Sequence, residues 1–90
     1  MSGRYVRDPR TLWRLTLDAV VVLAPGREHA VVVPDAGPAV WAWLQDPRAL
    51  DEMATLPGLV EWGTAAVARA AARLLECAAI LELPADRPGD

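Results

Sequence analysis

The chain is 90 residues long, enough for one small domain and too short for two. Its formal charge is −3 and every one of its nine basic residues is arginine, so it lacks the dense positive field that phosphate binding demands. Hydrophobic residues make up 53% of it, with four tryptophans among them, more than so small a core absorbs. Either an apolar patch remains on the surface, and such patches mark partners, or the count is inflated by alanine, which is apolar but small.

A lone cysteine, Cys77, excludes an internal disulfide and fits a reducing cytoplasm. Arg4 and Arg7 lead into a strand-like alternation rather than an apolar stretch, so no secretory leader is expected. The apolar runs fall far below the ~18 residues of a membrane span.

Residues 1–10 are polar, with a turn signal at Asp8-Pro9, and are expected to form a flexible N-terminal segment. The main domain is expected over 11–83. Thr11 to Leu17 alternates, with Trp13, Leu15 and Leu17 on one face and Leu12, Arg14 and Thr16 on the other: a half-buried strand. Asp18 marks a tight turn, and Ala19 to Leu23 is a valine run suited to the centre of a small sheet. Turn chemistry at Pro25-Gly26-Arg27 precedes a third strand, His29 to Val33. Short turns make these an antiparallel meander with both outer strands as edges.

The hydrophobic period then changes to that of helices. Gly37 suits an N-cap and Pro38 the first helical position, where a missing N–H costs nothing. Val40, Trp41 and Leu44 form an apolar stripe with Trp43 turned away from it, toward solvent. Gln45-Asp46-Pro47 breaks this helix. A second short one is marked by Leu50, Met53, Ala54 and Leu56, with Asp51 and Glu52 where the helix dipole favours acid. Pro57-Gly58 stops it. The last helix is expected from Thr64 to about Leu81, on a stripe of Val67, Ala70, Ala71, Leu74, Cys77, Ala78 and Leu81. Residues 84–90 read as a disordered tail. The fold class is α+β: a three-stranded antiparallel β-meander followed by three α-helices.

Little in this inventory suits catalysis. His29 is the only histidine and has no second ligand at metal spacing, so no metal and no cofactor are expected. Cys77 falls on an apolar stripe, where cysteine behaves as a small hydrophobe. Asp51 and Glu52 adjoin in sequence but project about 100° apart on a helix, so they do not converge on one reacting atom. The glycines lack phosphate-loop spacing. The chain is therefore expected not to be an enzyme. Arg69 and Arg73 lie one turn apart beside the apolar stripe and suit carboxylates on a partner; otherwise they are a solvated flank, with Glu76 pairing Arg73.

Leu12-Trp13-Arg14 leading into Leu17-Asp18-Ala19-Val20-Val21-Val22-Leu23, the segment from Gly37 through Val40-Trp41-Ala42-Trp43-Leu44, and Leu50-Asp51-Glu52-Met53-Ala54 together resemble the PqqD-like proteins. These are precursor-peptide recognition elements (RRE) of ribosomal peptide natural-product (RiPP) pathways. The likeness runs from about Leu12 to Leu83 and rests on apolar patterns and the order of elements. Two features depart from it: Pro57-Gly58 cuts the second helix short, and Trp62 stands where a polar loop is expected.

The resemblance implies a winged-helix-like fold that binds the leader of a precursor peptide between the third strand and third helix, the leader adding a strand to the sheet. On this chain the implied peptide-binding residues are His29, Ala30, Val31, Val32 and Val33 on the strand. On the helix they are Ala66, Val67, Arg69, Ala70, Arg73, Leu74 and Cys77. Val67, Leu74 and Val32 would be apolar walls, with Ala66 and Ala70 small enough to leave a groove. The implied partners are the leader peptide and a separate maturation enzyme, with neither nucleic acid nor membrane. Two other readings stand beside this one. An adaptor would dock to a larger enzyme through Trp43 and Trp62 without binding peptide. A winged-helix DNA reader would need a basic recognition helix, which this acidic chain does not supply.

Overall fold

The computed structural model describes residues 3–84. In chain order these form β1 (Arg4–Arg7), β2 (Leu12–Leu15), β3 (Ala19–Leu23), β4 (Val31–Pro34), α1 (Gly37–Trp43), α2 (Leu50–Met53), α3 (Thr64–Glu76) and β5 (Ile80–Leu83). The protein is a small α+β domain. Its three-stranded antiparallel sheet has the order β2-β3-β4, and β1 pairs with β5 in a separate antiparallel ribbon. Among the described residues no helix is long and apolar enough to cross a membrane.

The core lies where the helices cover β3 and β4. Val20, Val22 and Val33 share one face of the sheet and are buried with Val40 and Trp41 of α1, its C-cap Leu44, and Val67, Ala70 and Leu74 of α3. The valine runs form strands because branched side chains pack well on a pleated surface with one covered face. Gly37 lets α1 approach: a Cβ there would lie 2.8 Å from Val33 Cγ1.

Several expectations are corrected. From Arg4 to Arg7 the N-terminal segment is a strand rather than loose chain. Tyr5 is buried, β1 registers Arg4 with Leu83 through Arg7 with Ile80, and Tyr5 also exchanges main-chain hydrogen bonds with Arg48 (2.7 and 2.9 Å). α3 ends at Glu76, five residues before Leu81, and Leu81 lies exposed in β5. The cause is a Schellman stop: Ala79 N–H donates to Leu74 O and Ala78 N–H to Leu75 O, both at 3.0 Å, with Ala78 in the left-handed region at φ 65°. An alanine pays for that conformation sterically, and the burial of Ala79 and Ile80 offsets it.

β2 is shorter than expected, and its supposed buried face is open. Trp13 and Leu15 are about half exposed and Leu17, in the turn, is fully exposed. The helices cover β3 and β4 more fully than this edge, where Trp41 of α1 and Arg7 meet Trp13. β4 begins two residues later than expected and includes Pro34, which leaves His29 and Ala30 in the exposed loop before it. In α1 the N-cap is Ala36 rather than Gly37, and Pro38 is the second helical residue, still within the turn whose N–H groups need no helical acceptor. The tail expected from Pro84 lies outside the described residues after Pro84 itself.

The turn before β2 is pinned by a buried carboxylate. Asp8 accepts from the Arg10 main-chain N–H (2.9 Å) and from its guanidinium (3.1 and 3.0 Å), which hold its carboxyl below the usual range. Because the folded value lies below the unfolded one, this contact contributes in full at neutral pH. The contribution is lost as pH falls below about 4 and on through the folded value. Asp8→Asn is therefore expected to flatten the acid limb of a melting-temperature profile; superimposable acid limbs would refute the assignment.

Candidate functional site

Which backbone groups of β4 face outward follows from the hairpin before it. Thr16 N–H donates to Ala19 O (2.9 Å), and Ala19 N–H donates to Thr16 Oγ1 (3.1 Å), closing the β2–β3 turn. Antiparallel pairs alternate between hydrogen-bonded and non-hydrogen-bonded. Counting from this closure, Arg14 and Val21 are a hydrogen-bonded pair, so Val21 turns its N–H and C=O toward β2. On the other side Val20 bonds with Val33 and Val22 with Val31, which leaves Val21 and Val32 a non-bonded pair. Val32 therefore directs both main-chain groups away from the sheet. Pro34 shares that outward parity but has no N–H, so Val32 is the one outward donor of β4.

This edge faces α3 across a groove of about 410 Å³ lined by Val32, Val33, Pro34, Asp35, Ala66, Arg69, Ala70 and Arg73. Ala66 and Ala70 lie one turn apart on α3, and their small side chains keep the space open. Asp35 closes one end, held at φ 61°, a left-handed conformation that aspartate tolerates. Arg73 does not pair with Glu76. Its Nε–H instead donates to Val32 O at 3.2 Å, across 41 residues of sequence. Among the described residues its terminal nitrogens have no hydrogen-bond or ion-pair partner, and neither does Arg69. Two arginines against one aspartate give the groove a positive balance.

Of the residues expected here, the structure brings together Val32, Val33, Ala66, Arg69, Ala70 and Arg73. Val67 and Leu74 are corrected from walls to core: both are fully buried beneath α3 and reach no guest. Cys77 is half-buried as the C-cap of α3, its thiol donating to Leu74 O at 3.4 Å, outside the groove. His29 and Ala30 precede the strand and are exposed, and Val31 is half-buried at its start. Pro34 and Asp35 were missed because Pro34 reads as a break. The available signal was that an edge strand tolerates proline wherever no ladder donor is needed.

Elsewhere, Trp43 is half-buried rather than turned out to solvent. Its indole N–H donates to Pro57 O at 2.9 Å and Arg48 lies over its ring at 4.9 Å. Trp62 is about half exposed, and with Leu17, Pro34, Pro38 and Ala39 it borders a second hollow of about 420 Å³. Among the described residues no group of three or more His, Cys, Asp or Glu is placed to hold a metal. No protein-family model matches the chain, and neither a curated protein nor a solved structure matches it.

Proposed function

We propose that the chain is a non-catalytic peptide-binding module of winged-helix-like design. It captures the leader of a ribosomally made precursor peptide and presents it to a separate modifying enzyme in the cytoplasm. The observation that carries this reading is the open edge of β4, with its outward Val32 N–H and C=O set against the groove beneath α3. An extended peptide satisfies such an edge through main-chain hydrogen bonds, and alternate side chains then enter the space between strand and helix. Affinity comes from the backbone and selectivity from the groove. The resemblance to PqqD-like recognition elements supports the same reading, since their leaders add a strand at the equivalent place.

The test is a titration with the labelled leader segment of a short precursor peptide encoded beside this chain's gene. Saturable binding by that segment, and none by its scrambled version, is the expected result. Equal binding of the two, or none by any such segment, would refute the proposal.

A second reading has one observation in its favour. Leu17 and Trp62 are exposed side chains beside one hollow, the form of an anchor site for a larger protein. An adaptor of that kind would bind its enzyme and ignore the leader, so the same titration separates the two. Trp43 no longer serves that reading, being held on Pro57.

A further inference from the structure

We infer that Arg73 is a gate on the β4 edge, and that the guest which opens it is a peptide carrying a carboxylate in register with Val32. The inference rests on the proposed strand addition at β4. The Arg73 Nε–H occupies Val32 O, the acceptor through which a guest strand would bind beside the Val32 N–H. Pro34 supplies no second donor further along, so Val32 is where a guest must make its paired main-chain contact. A neutral strand competes with Arg73 for Val32 O and offers the guanidinium no acceptor in exchange. An Asp or Glu side chain on the guest supplies that acceptor, and the planar fork of the guanidinium suits a carboxylate.

The gate therefore does two jobs with one side chain. It caps a carbonyl on an edge strand that would otherwise invite indiscriminate pairing. It also makes strand addition conditional on charge, so discrimination comes from a contact that must be broken as well as one that is made. Arg69, one turn away on the same face of α3 and bordering the same groove, keeps the local field positive. Asp35, at the far end, disfavours a second acid on the guest at that position.

The experiment selects binders from a displayed library of random peptides of about twelve residues, long enough to overrun β4 at both ends. Selections run in parallel on the wild-type protein and on Arg73→Ala, which keeps a strong helix former at an exposed site. Binders from the wild type are expected to carry Asp or Glu at one register position, and those from Arg73→Ala are not. A wild-type binder with its acid replaced by the isosteric amide should bind wild type about tenfold more weakly, the size of one charge-assisted hydrogen bond, and Arg73→Ala with little change. The amide peptide should moreover bind Arg73→Ala more tightly than wild type, because the acceptor at Val32 is released.

If binders shift the Val32 amide but show no acidic position, or if the amide peptide loses equally on both proteins, the gate is wrong and the β4 site stands. If no binders emerge, or they shift residues away from β4, the site itself fails and the gate falls with it. Arg73→Gln, matched in melting temperature to wild type, repeats the comparison should Arg73→Ala prove unfolded.

Discussion

Trp41→Ala is expected to remove a large share of the domain's stability. The indole is fully buried between α1 and the sheet, meets Trp13 edge to face at 5.9 Å between centroids, and has the Arg7 guanidinium 4.9 Å from its centroid. The same arginine donates to Trp41 O at 2.8 Å, so ring and main chain hold β1 to α1 together. Truncating a buried Trp costs about 3–5 kcal/mol, against a total stability of only about 5–15 kcal/mol for a small domain. Trp41→Phe should cost less than the lost volume alone implies, because the buried Nε1–H has no acceptor among the described residues and its removal relieves that penalty. Denaturant melts of the two variants check this; an Ala variant as stable as wild type would contradict the packing described.

Val32→Pro is expected to weaken peptide capture strongly while sparing the fold. The N–H it removes points out of the sheet, so no ladder hydrogen bond is lost, and proline is tolerated on edge strands in that orientation. For a guest strand the same change removes the one donor β4 presents and puts a pyrrolidine ring in its path. Affinity should fall about thirtyfold or more, roughly 2 kcal/mol from one lost hydrogen bond plus the steric block. Val33→Pro is the control. Its N–H belongs to the pair with Val20, and its side chain is buried, so that variant should unfold. If both prolines unfold the protein, or neither changes binding, the assignment of outward groups is wrong.

The contrast between those two positions shows how far the residues alone can be read. Alternation located the valine strands and their meander because a pleated strand with one covered face writes its burial directly into sequence. It misjudged β2, since Trp13 and Leu15 alternate correctly but are left about half exposed. The end of α3 was invisible because the residue that turns left-handed is Ala78, not the glycine that ordinarily announces a stop. The β1–β5 ribbon was missed because residues 4–7 read as a flexible segment and Ile80 and Leu81 as the end of the last helix. At the groove, spacing put Arg69 and Arg73 one turn apart beside the apolar stripe of α3, and the resemblance added Ala66. Only the fold reveals that Arg73 reaches Val32 O rather than Glu76, a contact across 41 residues. Helical periodicity marked Val67 and Leu74 as apolar but could not tell a groove wall from the core beneath it.

The most direct test of strand addition is amide hydrogen exchange and chemical shift on the wild-type protein, with and without a peptide selected on it. In the free protein the Val32 N–H should exchange freely, and the neighbouring ladder donors Val31 and Val33 should be protected. Adding the peptide should slow exchange at Val32 most and shift β4 together with the Ala66–Arg73 face of α3. Slowed exchange at Trp13 and Leu15 with Val32 unchanged would place the guest on the β2 edge and contradict the account.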